Sequence, residues 1–109
     1  MIGKTVTVTV DRAMGTYHPE HPDLYYPINY GYIREIMSPD GEEQDAYILG
    51  ITEPVETFTG KVIAIIHRKD GIEEKWVVAP ADMSYTEKEI MKQVYFQEQY
   101  FDTEIRMSP

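Results

Sequence analysis

Residues 4–10, Lys-Thr-Val-Thr-Val-Thr-Val, alternate polar and apolar side chains, which puts Val6, Val8 and Val10 on one face of a half-buried strand. The Pro-, His- and Gly-rich stretch from Met14 to Asp23 reads as a loop. Tyr26-Pro27 breaks the chain again, and Asn29 to Ile33 predicts a second strand. Ser38-Pro39-Asp40-Gly41 is a strong turn signal. Three apolar runs follow, Ala46–Ile51, Lys61–His67 and Lys75–Ala79, each short, β-branched or aromatic, and bounded by Gly, Pro or acidic turns. Such runs fit core strands of a barrel or sandwich better than helices. The last segment changes period. Ser84-Tyr-Thr-Glu87 has the form of a capping box, after which Ile90, Val94 and Phe101 fall near one side of a helix and Tyr95, Phe96 and Tyr100 on others. The pattern predicts five strands and a C-terminal α-helix, in one mainly β domain spanning residues 1–109.

Composition narrows the function classes. With 10 basic and 19 acidic side chains the formal net charge is -9, against the basic face that a nucleic-acid binder needs. There is no cysteine, which excludes a disulfide scaffold, a thiol nucleophile and a thiolate zinc site. No basic stretch leads into an apolar run at the N-terminus and no window approaches a membrane span, so the expected place is the cytoplasm, with no membrane partner.

The candidate chemistry lies where acids crowd. In Asp40-Gly41-Glu42-Glu43-Gln44-Asp45, residues 40 and 42 share a side if the segment is extended, and Gly41 permits a bend that brings Asp45 round to them. Carboxylates held together repel by about 4 kcal/mol per pair at about 4 Å, and a hard cation such as Mg²⁺, Mn²⁺ or Ca²⁺ removes that repulsion. An acidic surface turn is the competing reading. Asp70-Gly71-Ile72-Glu73-Glu74 is a second acidic turn at a strand end, and the two could converge on more than one metal. Nine tyrosines, four of them in Tyr25–Tyr32, add phenol donors that bind phosphate oxygens without adding charge. His18, His21 and His67 read as surface or packing residues, and Trp76 as core.

Tyr26-Pro-Ile-Asn-Tyr30-Gly-Tyr-Ile33 resembles the Tyr-Pro-x-Asn-Tyr-Gly-Tyr-Ile segment of soluble inorganic pyrophosphatases, a metal-dependent family with an OB-like barrel. Asp11-Arg12, the Asp40–Asp45 loop, Asp70–Lys75 followed by Trp-Val-Val-Ala-Pro80, and the aromatic segment ending at Tyr100 are similar in the same order. The resemblance implies a small five-stranded OB-like barrel with a C-terminal helix. It implies hydrolysis of pyrophosphate by a water activated on Mg²⁺, with Mn²⁺ as an alternative. Asp40, Asp45, Asp70 and Glu73 would then be metal ligands. Arg12, Tyr30, Lys75 and Tyr100 would bind phosphate, Tyr26 would lie near the metal loop, and Glu42 would help deprotonate the water.

The chain also departs from the family pattern. Glu42 and Glu73 stand where the family has Asp, Phe101 where it has Lys, and the Lys and Glu upstream of Arg12 have no evident counterpart. Each Glu moves its carboxylate by one methylene, in a site that needs sub-ångström placement. Two alternatives therefore stand beside pyrophosphate hydrolysis: a hydrolase of a nucleotide or another small phosphoanhydride, and a non-catalytic barrel that binds metal or phosphate. A helix aromatic on several sides also allows a homo-oligomer.

Overall fold

The computed structural model describes residues 1–108. Its elements run β1 (Thr5–Arg12), β2 (Tyr30–Met37), β3 (Glu43–Ile48), β4 (Thr57–Arg68), β5 (Glu74–Ala79), α1 (Glu87–Glu98) and β6 (Thr103–Arg106). The sheet order is β1-β2-β3-β5-β4-β6, and a further pairing of β1 with β4 closes the first five strands into a barrel. The architecture is mainly β with a C-terminal helix, as the pattern predicts, and its five-stranded barrel is the one that the resemblance implies. The short strand β6 is an addition, pairing antiparallel with residues 65–68 of β4.

Alternation along the strands separates two cores. Val6, Val8, Ala46, Ile48, Val62, Trp76 and Val78 fill the barrel interior. Tyr47, Leu49, Ala64, Ile66, Val77 and Ala79 point to the opposite face, where Ile90 and Val94 of α1 cover them. A register shift between Val62 and Ala64 lets β4 contribute Val62 to one core and Ala64 and Ile66 to the other.

The helix starts two residues later than the sequence suggests. Its N-cap is Thr86, whose hydroxyl accepts from the Glu89 backbone N–H at 3.1 Å while Glu89 Oε1 accepts from the Thr86 N–H at 2.8 Å. Thr86–Glu89 has the same capping-box form as Ser84–Glu87. The register that wins also sets Tyr85 just before the cap and Ile90 in the first turn, both packed in the helix-side core, so an apolar staple supports the cap. Phe101 falls beyond the helix end at Glu98, and the third buried position of the stripe begun by Ile90 and Val94 is Glu98.

Candidate active site

One local irregularity shapes the site. Val10 pairs with Gly31 and Arg12 with Tyr30, so Asp11 is an extra residue in β1, a β-bulge. Without the bulge, neighbouring side chains would point to opposite faces of the sheet; here both Asp11 and Arg12 line the same cavity. The bulge needs Gly31, because a Cβ there would lie 1.9 Å from the Thr9 carbonyl oxygen. Asn29, fully buried, ties the adjoining loops together: its Oδ1 accepts from the Met14 N–H at 2.9 Å and its Nδ2 donates to the Glu53 carbonyl at 2.9 Å. The Tyr-Pro-Ile-Asn-Tyr-Gly block is thus first a device for shaping backbone.

The cavity has a volume of about 600 Å³. Arg12, Lys75 and Arg68 bring positive charge to it, Asp11, Asp23 and Asp45 bring negative charge, and Tyr26, Tyr30 and Tyr100 bring phenols. It lies on the helix side of the sheet, beyond the apolar contact with α1, where the end of the helix supplies Gln97.

Beneath and along this cavity runs a continuous polar network. The Lys75 ammonium donates to Asp45 Oδ2 at 2.6 Å and to Glu73 Oε1 at 2.7 Å. The other oxygen of Glu73 accepts from Arg68 Nη1 at 2.7 Å. Arg68 also forks onto Glu98, Nε to Oε1 at 3.2 Å and Nη2 to Oε2 at 2.8 Å. Tyr47 donates its hydroxyl to Glu98, accepts from Gln97 Nε2 at 2.8 Å, and Tyr26 donates to Gln97 Oε1 at 3.1 Å. Glu98 is 1% exposed and Lys75 4%, so their charges persist only because each is bonded to opposite charge.

Electrostatic shifts follow from this arrangement. Burial alone would lower the Lys75 pKa, but Tyr30, Asp45 and Glu73 raise it and keep the ammonium charged. Burial would likewise lower Arg68, and Glu98 and Glu73 reverse that. Glu73 is pulled below its ordinary value by Lys75 and Arg68 against the effect of burial. Burial raises Tyr30 and Tyr26, so both remain phenol donors. Partial burial also holds the Asp11 carboxyl up; Arg12 lowers it, and the charge of Asp45 raises it again.

The expected site residues divide into two groups. Arg12, Tyr26, Tyr30, Asp45, Lys75 and Tyr100 line the cavity, and Glu73 braces it from behind through Lys75 and Arg68. Asp40, Glu42 and Asp70 are exposed and do not line it. Asp40 Oδ1 accepts from the Glu42 backbone N–H at 3.0 Å, as a turn residue does.

Arg68, Gln97 and Glu98 were not anticipated. The signal for Glu98 is its spacing: it continues the apolar stripe Ile90, Val94 at the next helical turn, where a carboxylate demands a buried partner. His18 and His21 also reach the cavity, while His67 lies on β4 with Nδ1 3.5 Å from Glu74.

Among the described residues, no three His, Asp or Glu side chains come together so as to hold a metal ion. Asp45 and Glu73 are drawn onto the Lys75 ammonium, and the remaining expected ligands stand in solvent at turns. In this arrangement the residues do not fit a resident metal centre. None of the helices among the described residues is long and apolar enough to cross a membrane.

Comparison with known proteins bears on the family and the fold. A family model described as inorganic pyrophosphatase matches residues 3–105. No curated protein matches the chain. Among solved structures, an inorganic pyrophosphatase from Ehrlichia chaffeensis superposes with a TM-score of 0.71 at 16% identity, covering 98% of this chain and 88% of that one. One from Helicobacter pylori gives 0.64 at 17%, covering 96% and 82%, and one from Neisseria gonorrhoeae gives 0.64 at 18%, covering 90% and 74%. At such identities these likenesses speak for the fold.

Proposed function

This chain belongs to the inorganic pyrophosphatase family, and on that premise we propose that it hydrolyses pyrophosphate to two phosphates in the cavity between the β1 bulge and the end of α1. The observation that carries this reading is the convergence there of Arg12, Lys75, Tyr30 and Tyr100 with two carboxylates, Asp11 and Asp45. Cations and phenols suit a polyanionic phosphoanhydride, and carboxylates suit the water that must attack it.

The family depends in general on divalent metal. Because the protein groups do not assemble a metal centre of their own, Mg²⁺ enters this reading as part of the substrate, the magnesium complex of pyrophosphate. Mn²⁺ is the nearest substitute among hard cations. A cysteine-free, acidic chain acting on a metabolic anhydride suits the cytoplasm.

The protein groups divide the work. Arg12, whose ionic contact is the 4.0 Å approach to Asp11, offers a guanidinium fork to one phosphate. Lys75, anchored between Asp45 and Glu73, gives a fixed positive charge for the bridging oxygen as it departs. Tyr30, whose ring lies 5.8 Å from the Lys75 ammonium, and Tyr100 donate hydroxyls to outer oxygens. Water attacks one phosphorus as the bridging P–O bond breaks. Its proton passes to Asp11, which lines the cavity with its carboxyl held up by partial burial, and then to the leaving phosphate. Glu42 could serve as base only if its turn swung inward; Asp11 already lines the cavity.

The test is phosphate release with Mg²⁺ from pyrophosphate, a nucleoside triphosphate and tripolyphosphate, with Lys75→Met as control. The expected outcome is turnover of pyrophosphate, falling by about 10²- to 10³-fold in the variant, the usual loss of a charge-stabilising donor. No phosphate from any substrate, or full turnover by Lys75→Met, contradicts the proposal.

A further inference from the structure

The loop between Arg12 and Tyr30 carries more order than a connection requires. Residues 16–26 form a small hairpin: the Tyr26 N–H donates to the Thr16 carbonyl at 2.9 Å, His18 to Leu24 at 2.9 Å and Leu24 to His21 at 2.8 Å, and Tyr17 and Tyr25 form a bridge. His18 and His21 project from it into the lining of the cavity, their ring centroids 4.8 Å apart. The His18 ring lies parallel to that of Tyr26, 22° from coplanar with centroids 6.5 Å apart.

The two nitrogens of His18 are not equivalent. Nδ1 accepts from the Glu20 backbone N–H at 3.0 Å, within the hairpin itself. That bond requires Nδ1 to be unprotonated, so in the neutral ring the proton sits on Nε2. The surrounding charges favour this neutral form: burial, Arg12 and His21 lower the His18 pKa, and Glu20 opposes them. The same cavity carries Asp23 from the hairpin itself and Asp11, Asp45, Arg68, Lys75 and Tyr100 from beyond it.

We propose that His18 is a substrate-binding residue that presents an uncharged Nε2–H to a phosphate oxygen beside Arg12, its tautomer fixed by the Glu20 N–H bond to Nδ1. The inference rests on the phosphoanhydride reading of the cavity. It assigns the hairpin a recognition role and adds a third uncharged donor beside Tyr30 and Tyr100. A neutral donor holds phosphate without strengthening the grip on products as a further cation would.

Asparagine and glutamine separate this role from a structural one. An Asn amide can place its oxygen near the position of Nδ1 and so retain the Glu20 bond, while a Gln amide can place its N–H near that of Nε2. Calorimetric titration would use methylenediphosphonate, a non-hydrolysable pyrophosphate analogue, with Mg²⁺ present. Binding about tenfold weaker in His18→Asn than in His18→Gln is the expected result, the equivalent of one lost phosphate hydrogen bond. A ¹⁵N spectrum of the imidazole should show Nε2 protonated before and after binding, with its resonance moved by the analogue.

The opposite order, with Asn binding as wild type and Gln weakened, makes His18 a brace for the hairpin and overturns the proposal. An imidazole resonance unmoved by bound analogue overturns it as well. Should wild type itself fail to bind the analogue, the phosphoanhydride reading falls first. Binding by wild type that ignores the Asn and Gln variants alike removes only the role of His18.

Discussion

Two groups of carboxylates in this small barrel have the same chemistry and opposite circumstances. Asp45, Glu73 and Glu98 stand on or beside regular elements and each touches a buried cation at 2.8 Å or less. Asp40, Glu42 and Asp70 sit in the turns β2–β3 and β4–β5 and face solvent. A run of acids in the sequence carries no information about this division; the presence of a buried cation within reach decides it. Asp45 on β3 meets Lys75 of β5, Glu73 just before β5 meets Lys75 and Arg68, and Glu98 at the end of α1 meets Arg68. Among the described residues Asp40, Glu42 and Asp70 make no such ion pair and are hydrated. The cation-paired group is therefore the one expected to matter for both folding and phosphate chemistry.

The largest break in that comparison comes from Glu98. Removing it as Glu98→Ala leaves the Arg68 guanidinium, which is 5% exposed, with Glu73 as its remaining ionic partner. Loss of one member of a buried ion pair costs about 3–5 kcal/mol, so urea unfolding should show a drop of that size. A loss below about 1 kcal/mol would mean the pair is worth no more than a surface one.

Gly31→Ala should be next. The added methyl meets the Thr9 carbonyl oxygen and the Val10 Cα, so strands β1 and β2 must part or the bulge must reset. Overpacking of this kind costs about 1–3 kcal/mol, read as a fall in Tm. Because the bulge aims Arg12 into the cavity, affinity for methylenediphosphonate should fall with it.

The pH dependence is subtler. The folded-state pKa of Glu73 lies below its ordinary value, so its contribution to stability is present above about pH 4.5, the ordinary glutamate value, and is lost as pH falls through the lower folded value. Tm measured from pH 6 down to pH 3 should fall less steeply for Glu73→Gln than for wild type. An identical slope would show that Lys75 and Arg68 do not favour the charged form. Smallest of all, Asp40→Asn and Asp70→Asn should change stability by less than about 0.5 kcal/mol, as exposed substitutions do.

Most of the barrel is legible from alternation and turn chemistry, because Thr5–Val10 and the three β-branched runs have one satisfactory burial pattern each. Strand β6 is not legible: Thr103–Arg106 is short and half-exposed and exists by pairing with β4. The helix start reads two residues early, at Ser84, because Thr86–Glu89 repeats the capping-box form and only the packing of Tyr85 and Ile90 decides between them. At the site, Arg12, Tyr30, Lys75 and Tyr100 are legible through motif order. Arg68 is not, since it follows an apolar run immediately before a turn and reads as a surface residue until β4 is seen to continue to it. His18 and His21 escape for a related reason. Nothing in a Pro-rich loop states which way it folds, and the hairpin that turns them to the cavity is held by backbone bonds that any residues could make.

The claim that the cation-paired carboxylates, and not the solvated ones of the turns, serve the chemistry is tested most directly by one paired measurement. Initial rates of phosphate release from magnesium pyrophosphate would be compared for Asp45→Asn and Glu42→Gln against wild type. The account predicts a loss of about 10²-fold or more for Asp45→Asn, the scale of a misplaced acid–base or positioning group, and a change of less than about threefold for Glu42→Gln. A Glu42→Gln loss as large as that of Asp45→Asn would show that the acidic turn folds onto the substrate and would contradict the account.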